Sequence, residues 1–286
     1  MVRYICNPEV SNEPISRKKF AADMIEVNYA EGPDNGPPMV LIHGLGGRWT
    51  SWEPVMGRFG ERWHVYAIDL RGHGDSGRVP GGYEFSDYPG EVIEFLRNVV
   101  GKPAYLVGHS LGGVAAAGTC ASAPELVTAA VLEDPPLYIR EWFDESEAAP
   151  VFKNLLEIRE RNLGIEGTAI ELREINKNLS DGAIVRWAQT VVKADPGIWA
   201  AAVGGRMYES WDPDAVLSTA TPPVLLMQAN PDKGGVLRDV EATRAVDLLS
   251  HGRHVKWEDV GHGMHNEQPE RFVQLVDAFF GQVLKR

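Results

Sequence analysis

The sequence predicts an α/β fold built on an open, mostly parallel sheet with helices on both faces. Short apolar runs of strand length alternate with segments of helical periodicity through the first half of the chain, and this alternation returns near the end. Clusters of Gly, His, Asp and Ser follow directly on several of the apolar runs. Open sheets of this kind bind ligands at the carboxyl ends of their strands, so these clusters are candidate functional loops.

The apolar runs of the first half are expected to be strands because Gly or Pro bounds several of them. An alternating stretch, residues 20–30, reads as an antiparallel edge strand. Residues 88–100 show the apolar spacing of a helix. Buried strands are expected at residues 39–42, 64–68, 104–107 and 127–132.

Residues 137–217 interrupt the alternation and are rich in tryptophan and other aromatic residues. Their periodicity predicts helices at 151–163, 168–179 and 182–193. Two interpretations fit: ordinary helical packing, or a lid with some aromatic side chains lining an apolar pocket. After this segment, strands are expected at 224–227 and 254–258, and helices at 240–249 and 269–283.

Composition narrows the functional class. The chain has 286 residues and a net charge of −12, which disfavours nucleic acids and anionic membranes as partners. Its two cysteines, Cys6 and Cys120, are far apart, so a reducing, cytoplasmic compartment is expected. The polar segment Met1–Ser16 has no apolar stretch of signal-peptide length, and no window is long enough to span a membrane.

The strongest local motif is Gly108-His109-Ser110-Leu111-Gly112, which joins a predicted buried strand to a small-residue helix. This G-x-S-x-G pattern is typical of a serine exposed on a sharp strand-to-helix turn. Side chains at the two outer glycines would collide with neighbouring backbone. The backbone N–H of Leu111, at the helix N-terminus, could stabilise developing negative charge.

Taken together, four motifs resemble those of the α/β-hydrolases that carry a helical cap. They are His43-Gly44, Arg71-Gly72-His73-Gly74-Asp75-Ser76, the Ser110 motif, and Gly261-His262 followed by Glu267 and Pro269. The resemblance implies an α/β-hydrolase fold with a mostly parallel eight-stranded sheet and an inserted helical cap. It divides the chain into core residues 1–136, cap residues 137–217 and core residues 218–286.

The same resemblance implies a catalytic triad in the chain order serine, acid, histidine. Ser110 would be the nucleophile and His262 its base, while the backbone N–H of Leu45 would join that of Leu111 in holding an oxyanion. His43 precedes the serine in the chain, and a structural role in fixing the Leu45 loop is expected for it. His265 is the neighbouring alternative to His262 and is also expected to be structural.

The acid of the triad has two main candidates. Asp232 lies in the loop after the penultimate strand, where most of the family keeps its acid, whereas Asp134 directly leaves a buried strand, as in certain lactonases and dehalogenases. The exit from a buried strand favours Asp134, because the loop around Asp232 reads as exposed. Glu133 is a third candidate, but the two-residue period of a strand should point it to the opposite face.

These features predict a serine hydrolase that cleaves a small, largely apolar ester or lactone through an acyl-enzyme. C–C bond hydrolysis or other serine-dependent α/β-hydrolase chemistry is an alternative, since some family members keep the serine for such reactions. A hydrolase-like small-molecule binding protein is an alternative of another class. No cofactor and no metal site are expected, because the histidines and cysteines show no metal-ligand spacing. The expected partner is a small-molecule substrate, and the protein could be a monomer or a homodimer.

Overall fold

The computed structural model describes residues 15–146 and 148–285. Most of the predicted polar arm, Met1–Ser16, lies outside these residues. The described residues form one eight-stranded sheet with the strand order β1-β2-β4-β3-β5-β6-β7-β8. Pairs β1–β2 and β2–β4 are antiparallel and all other neighbours are parallel, so the predicted mostly parallel sheet is confirmed.

The first half of the chain alternates strands and helices. It consists, in order, of β1 Ser16–Ala21, β2 Glu26–Glu31, β3 Pro38–Ile42, α1 Glu53–Phe59, β4 His64–Ile68, α2 Tyr88–Phe95, β5 Ala104–His109, α3 Leu111–Ser122 and β6 Val127–Glu133.

A helical segment separates β6 from the remaining strands. It contains α4 Ala148–Glu160, α5 Gly164–Ile175, α6 Asp181–Lys193, α7 Pro196–Val203 and α8 Pro213–Thr219. The chain then returns to the sheet with β7 Val224–Ala229, α9 Asp239–Leu248, β8 Gly252–Trp257, α10 Met264–Glu267 and α11 Pro269–Val283.

The central strands of the sheet are buried on both faces, because helices cover each side and successive side chains point to opposite faces. In β3, Val40 and Ile42 join the core beneath α2 and α3, whereas Met39 and Leu41 join the core beneath α1 and α11. Because neither face is solvated, the central strands read as continuous apolar runs. This explains why they could be located from sequence.

One prediction about elements was wrong, and two short helices were not predicted. Residues 20–30 are not one edge strand: the backbone N–H of Ala22 donates to the Ile25 carbonyl (2.9 Å), and this turn separates β1 from β2. The edge strand is β1, whose polar sequence carries no apolar alternation because it is mostly exposed. The short helices α7 and α8 were not predicted, since eight and seven residues give too few turns for a periodic signal.

No helix in the described ranges is both long enough and apolar enough to cross a membrane.

Candidate active site

Ser110 occupies a strained turn between β5 and α3. Its φ of 53° and ψ of −117° lie where non-glycine residues are rare, as expected for a serine exposed on a sharp turn. The backbone N–H of Ser110 donates to the Glu133 carbonyl on β6 (2.9 Å). Its carbonyl accepts from the N–H groups of Gly113 (2.8 Å) and Val114 (3.1 Å). The strained residue is therefore held by the sheet on one side and the helix on the other.

Gly108 and Gly112 are required because no side chain fits at either position. A Cβ on Gly108 would collide with the Gly112 carbonyl, and a Cβ on Gly112 would collide with the Ile42 carbonyl at the end of β3. The predicted backbone collisions are thus confirmed. These close approaches let α3 begin directly against the carboxyl ends of β3 and β5, which brings Ser110 to that edge of the sheet.

Asp134 is hydrogen-bonded to His262. The residue is fully buried at the end of β6, and its Oδ2 lies 2.7 Å from Nδ1 of His262. The carboxylate also accepts backbone N–H groups from Val236 (2.8 Å) and Ala229 (3.2 Å). Because an ionised carboxylate only accepts hydrogen bonds, this arrangement puts the imidazole proton on Nδ1 and leaves Nε2 free to act as a base.

Asp232 is placed elsewhere. It is exposed in the loop after β7, where its backbone N–H donates to the Asn230 side chain (2.9 Å). No hydrogen bond or ion pair links its carboxylate to His262 among the described residues. Of the two acids that the sequence left open, the structure therefore brings only Asp134 to the histidine.

Ser110 and His262 line the same cavity, as do Leu45 and Leu111. Within the described residues, no hydrogen bond joins the Ser110 hydroxyl to the His262 ring. In enzymes without substrate such bonds are often long, and they tighten when the substrate binds. Leu111 is the first residue of α3, so its backbone N–H belongs to the first turn, which has no intrahelical acceptor.

Two buried histidines fix the loop that carries Leu45. His43 Nδ1 donates to the Gly44 carbonyl (2.8 Å), and its Nε2 accepts from the Leu70 N–H (3.0 Å). His73 Nε2 accepts from the Gly46 N–H (3.0 Å). Burial lowers the pKa of His43 to about 4 and that of His73 to about 3, so both rings are neutral near pH 7. These bonds agree with the structural role expected for His43.

The turn at residues 69–76 supports the same loop. Asp69 accepts the backbone N–H of Trp49 (2.6 Å) and of Asp75 (3.0 Å), and the side-chain amide of Asn28 (2.8 Å). Burial raises the pKa of Asp69 above its usual value, while the bonds to Asp75, Trp49 and Asn28 oppose that rise. The turn is therefore an internally bonded structural element.

A second carboxylate–imidazole pair lies on the opposite face of β6. Glu133 and His265 are both buried, and the His265 Nδ1 lies 2.8 Å from each carboxylate oxygen of Glu133. The backbone N–H of His265 also donates to Glu133 Oε1 (2.9 Å), and its ring lies over Trp52 (centroids 4.3 Å apart). Neither residue lines the cavity, which is consistent with the opposite-face prediction for Glu133.

The cavity has a volume of about 530 Å³ and walls that are mostly apolar. Most of its aromatic lining comes from the helical segment between β6 and β7. Sequence could not identify these residues, because other aromatic side chains of the same segment, such as Trp199, pack into the core instead. The apolar lining from this segment consists of Pro136, Ile139, Trp142, Phe143, Ala148, Val151, Phe152, Met207 and Tyr208.

Some cavity residues were missed from sequence. Phe85 and Val236 carry no motif, and Arg238 reads as an ordinary solvent-facing residue before a helix. His109 was read only as the variable position of the serine motif, yet its Nε2 donates to the His262 carbonyl (3.0 Å). In the described part of the chain, no three His, Cys, Asp or Glu side chains are grouped so that they could bind a metal ion.

Comparison with known proteins identifies relatives among bacterial hydrolases. The 2-(acetamidomethylene)succinate hydrolase of Mesorhizobium japonicum is 33% identical over 141 residues, 49% of this chain and 50% of the relative. The (E)-2-((N-methylformamido)methylene)succinate hydrolase of Acinetobacter baylyi is 34% identical over 92 residues, 32% of this chain and 35% of the relative. The matched parts thus cover about half or less of these relatives' lengths.

The similarity to solved structures extends over the whole fold. The crystal structure of E-2-(acetamidomethylene)succinate hydrolase matches 94% of this chain and 100% of its own, with a TM-score of 0.75 and 24% identity. At this identity the match bears on the fold alone. A model of the alpha/beta hydrolase family matches residues 39–275. The chain therefore belongs to the alpha/beta hydrolase family.

Proposed function

We propose that this protein is a serine hydrolase that cleaves a carboxylic ester or lactone of a small, largely apolar substrate. The observation that carries the proposal is the convergence of Ser110 and the Asp134-bonded His262 on one apolar cavity. A nucleophile, a base and an acid that orients the base are the parts that acyl transfer requires. The helical segment, residues 137–217, would act as the lid over that cavity.

The proposed reaction proceeds through an acyl-enzyme. His262 Nε2 takes the proton of the Ser110 hydroxyl as Oγ attacks the substrate carbonyl. The backbone N–H groups of Leu45 and Leu111 hold the oxyanion of the tetrahedral intermediate. The imidazolium then gives its proton to the leaving alkoxide, and Asp134 stabilises the charge on the ring meanwhile.

Water completes the cycle in the second half of the reaction. Neutral His262 removes a proton from a water molecule, which attacks the acyl carbon. The same two N–H groups hold the second oxyanion, and the carboxylic acid product leaves when Ser110 Oγ regains its proton. Every group in this scheme belongs to the chain, so the proposal needs no metal and no cofactor.

The names of the two relatives favour a second candidate, hydrolysis of an amide bond. C–C bond hydrolysis is the other alternative for the same site. Both names describe substrates that contain an amide group. The proposed triad could serve amide as well as ester hydrolysis, because the same acyl-enzyme forms whether an amine or an alcohol takes the proton from His262 and leaves. In C–C bond hydrolysis a carbon leaving group would have to take that proton instead. We do not extend this candidate to a dicarboxylate substrate such as a succinate. Arg238, the one cationic side chain of the described cavity lining, is already paired.

Turnover of p-nitrophenyl butyrate and of butyryl p-nitroanilide by wild type and Ser110→Ala tests the proposal. We expect Ser110→Ala to lose at least about 10³-fold in kcat. Ser122→Ala, at the exposed end of the same helix, is the matched control and should retain wild-type rates.

Three other results of this assay would point away from ester hydrolysis by Ser110. Equal rates in wild type and Ser110→Ala would remove Ser110 as the nucleophile. Faster cleavage of the anilide than of the ester would favour the second candidate. Tight binding of the ester with no product after long incubation would identify a hydrolase-like binding protein.

A further inference from the structure

Few charged side chains line the cavity. Arg238 is the one lysine or arginine that contributes to the described cavity lining, and Glu145 is the one acidic side chain. Burial holds the pKa of His109 well below its usual value, and the nearby His262 and His265 act in the same direction, so His109 is neutral near pH 7. Arg238 is therefore the one charged side chain of this lining that could attract a carboxylate on the substrate.

Arg238 is already engaged by Glu241 on the first turn of α9. The guanidinium donates from Nε (2.9 Å) and from NH2 (2.6 Å) to Glu241 Oε1, and the Arg238 backbone N–H donates to Oε2 (2.9 Å). The Glu241 side chain is only 5% exposed, whereas that of Arg238 is 41% exposed. A second carboxylate, that of Glu141, approaches the guanidinium to 3.9 Å.

Trp142 links this ion pair to the cavity wall. Its indole N–H donates to the same Glu241 oxygen (2.8 Å), and the Arg238 guanidinium lies over its ring, 4.9 Å from the centroid. The guanidinium is thus held by a buried carboxylate and stacked on an aromatic ring. Its remaining N–H groups could still reach a substrate carboxylate, but its positive charge is already offset by the buried carboxylate of Glu241, so a second carboxylate would gain little attraction there.

We propose that Glu241 makes this cavity select uncharged substrates, because it neutralises the Arg238 guanidinium. The inference rests on the proposed function and adds the charge class of the substrate. A carboxylate on the substrate would lose water on entering the apolar cavity and gain no free cation in return. A methyl group at the same place would instead gain from leaving water.

A matched pair of esters measures this selection directly. p-Nitrophenyl hexanoate ends in a methyl group, and the p-nitrophenyl monoester of adipic acid carries a carboxylate at that end of an equally long acyl chain. We expect wild-type kcat/KM for the hexanoate to exceed that for the adipate by on the order of a hundredfold. Spontaneous hydrolysis is subtracted with Ser110→Ala as the blank.

Three variants test the part played by Glu241. Glu241→Gln keeps the acceptor for Trp142 but removes the charge that offsets Arg238, and should lower the hexanoate-to-adipate ratio at least tenfold. Arg238→Gln leaves Glu241 without its cation and should raise the ratio. Asp214→Asn is the matched control, because Asp214 pairs with the exposed Arg244 outside the cavity and should leave the ratio unchanged.

The outcomes separate this inference from the proposed function. A wild-type ratio near one would overturn charge selection, and an unchanged ratio in a folded Glu241→Gln would overturn the role of Glu241. If Glu241→Gln does not fold, the wild-type and Arg238→Gln ratios decide the inference. Failure to cleave either ester would count against the proposed function, and calorimetric binding of both esters to Ser110→Ala would still measure the selection as a ratio of Kd values.

Discussion

Asp134→Asn is the sharpest perturbation of the proposed mechanism. The two side chains have nearly the same shape, but the amide has one acceptor atom and one donor group where the carboxylate has two acceptors. The carboxylate accepts from His262, Val236 and Ala229. In the variant, at least one of these N–H groups must therefore face an NH2 group.

The size of the expected loss in kcat depends on which N–H group loses its acceptor. If the amide NH2 faces His262, the ring must protonate Nε2 instead of Nδ1 and can no longer take a proton from Ser110. If the amide oxygen faces His262, the bond at 2.7 Å persists without its charge, and a backbone N–H loses its acceptor. The corresponding substitution in enzymes with a Ser-His-Asp triad lowers kcat by about 10²–10⁴-fold, or roughly 3–5 kcal/mol of transition-state stabilisation.

The assay is the pH dependence of kcat and kcat/KM on a p-nitrophenyl ester, with folding verified by urea unfolding. Asp232→Asn is the matched control, and we expect it to remain within about threefold of wild type because the Asp232 side chain is exposed. The reasoning would be refuted if Asp134→Asn kept more than a tenth of wild-type kcat. An equal loss in Asp232→Asn would show that the acid is supplied from the other loop.

Two further predictions concern stability. Burial lowers the pKa of His43 to about 4 and that of His73 to about 3, below the value of about 6.5 expected in the unfolded chain. As the pH falls below 6.5, the unfolded chain takes up protons that the native rings refuse, so each ring should lower the free energy of unfolding by up to about 1.4 kcal/mol per pH unit. Burial raises the pKa of Glu91 to about 7, which acts in the opposite direction over the same range, so the net fall should be smaller than the sum for the two rings. A urea midpoint that stays constant from pH 7 to pH 5 would contradict this prediction. Glu133→Gln should lower the free energy of unfolding by about 2 kcal/mol, because it removes a buried carboxylate oxygen that accepts the backbone and ring N–H groups of His265. Glu270→Gln breaks an exposed ion pair with Arg58 and should cost less than about 1 kcal/mol in the same urea titration.

The features that sequence could predict are those with a local cause. Gly108 and Gly112 are needed because any side chain there would meet backbone, and that requirement is visible in five consecutive letters. The position of Asp134 directly after a buried strand similarly favours contact with a loop that leaves the same edge of the sheet. Such signals depend on steric limits and strand period, which do not change with the packing of distant elements.

The features that sequence could not predict depend on distant packing. Trp142 lines the cavity whereas Trp199 is buried against Gly46 of the Leu45 loop, and nothing in their immediate surroundings distinguishes them. Arg238 and Glu241 are only three positions apart, so their pairing is local in sequence. Its effect on substrate charge, however, depends on the cavity that the helical segment encloses. The exposed strand β1 was missed because neither of its faces requires apolar side chains.

The end of β6 explains how so few contacts can fix the site. Glu133, the last residue of β6, holds His265, and Asp134, which follows it in a left-handed backbone conformation (φ 43°), holds His262. The Glu133 carbonyl also accepts the backbone N–H of Ser110. The serine turn and both ends of the segment from His262 to His265 are thus attached to two consecutive residues. The backbone N–H of Asp134 also donates to the Met227 carbonyl on β7 (2.8 Å), so the register of β6 within the sheet sets where the proposed base lies relative to the nucleophile.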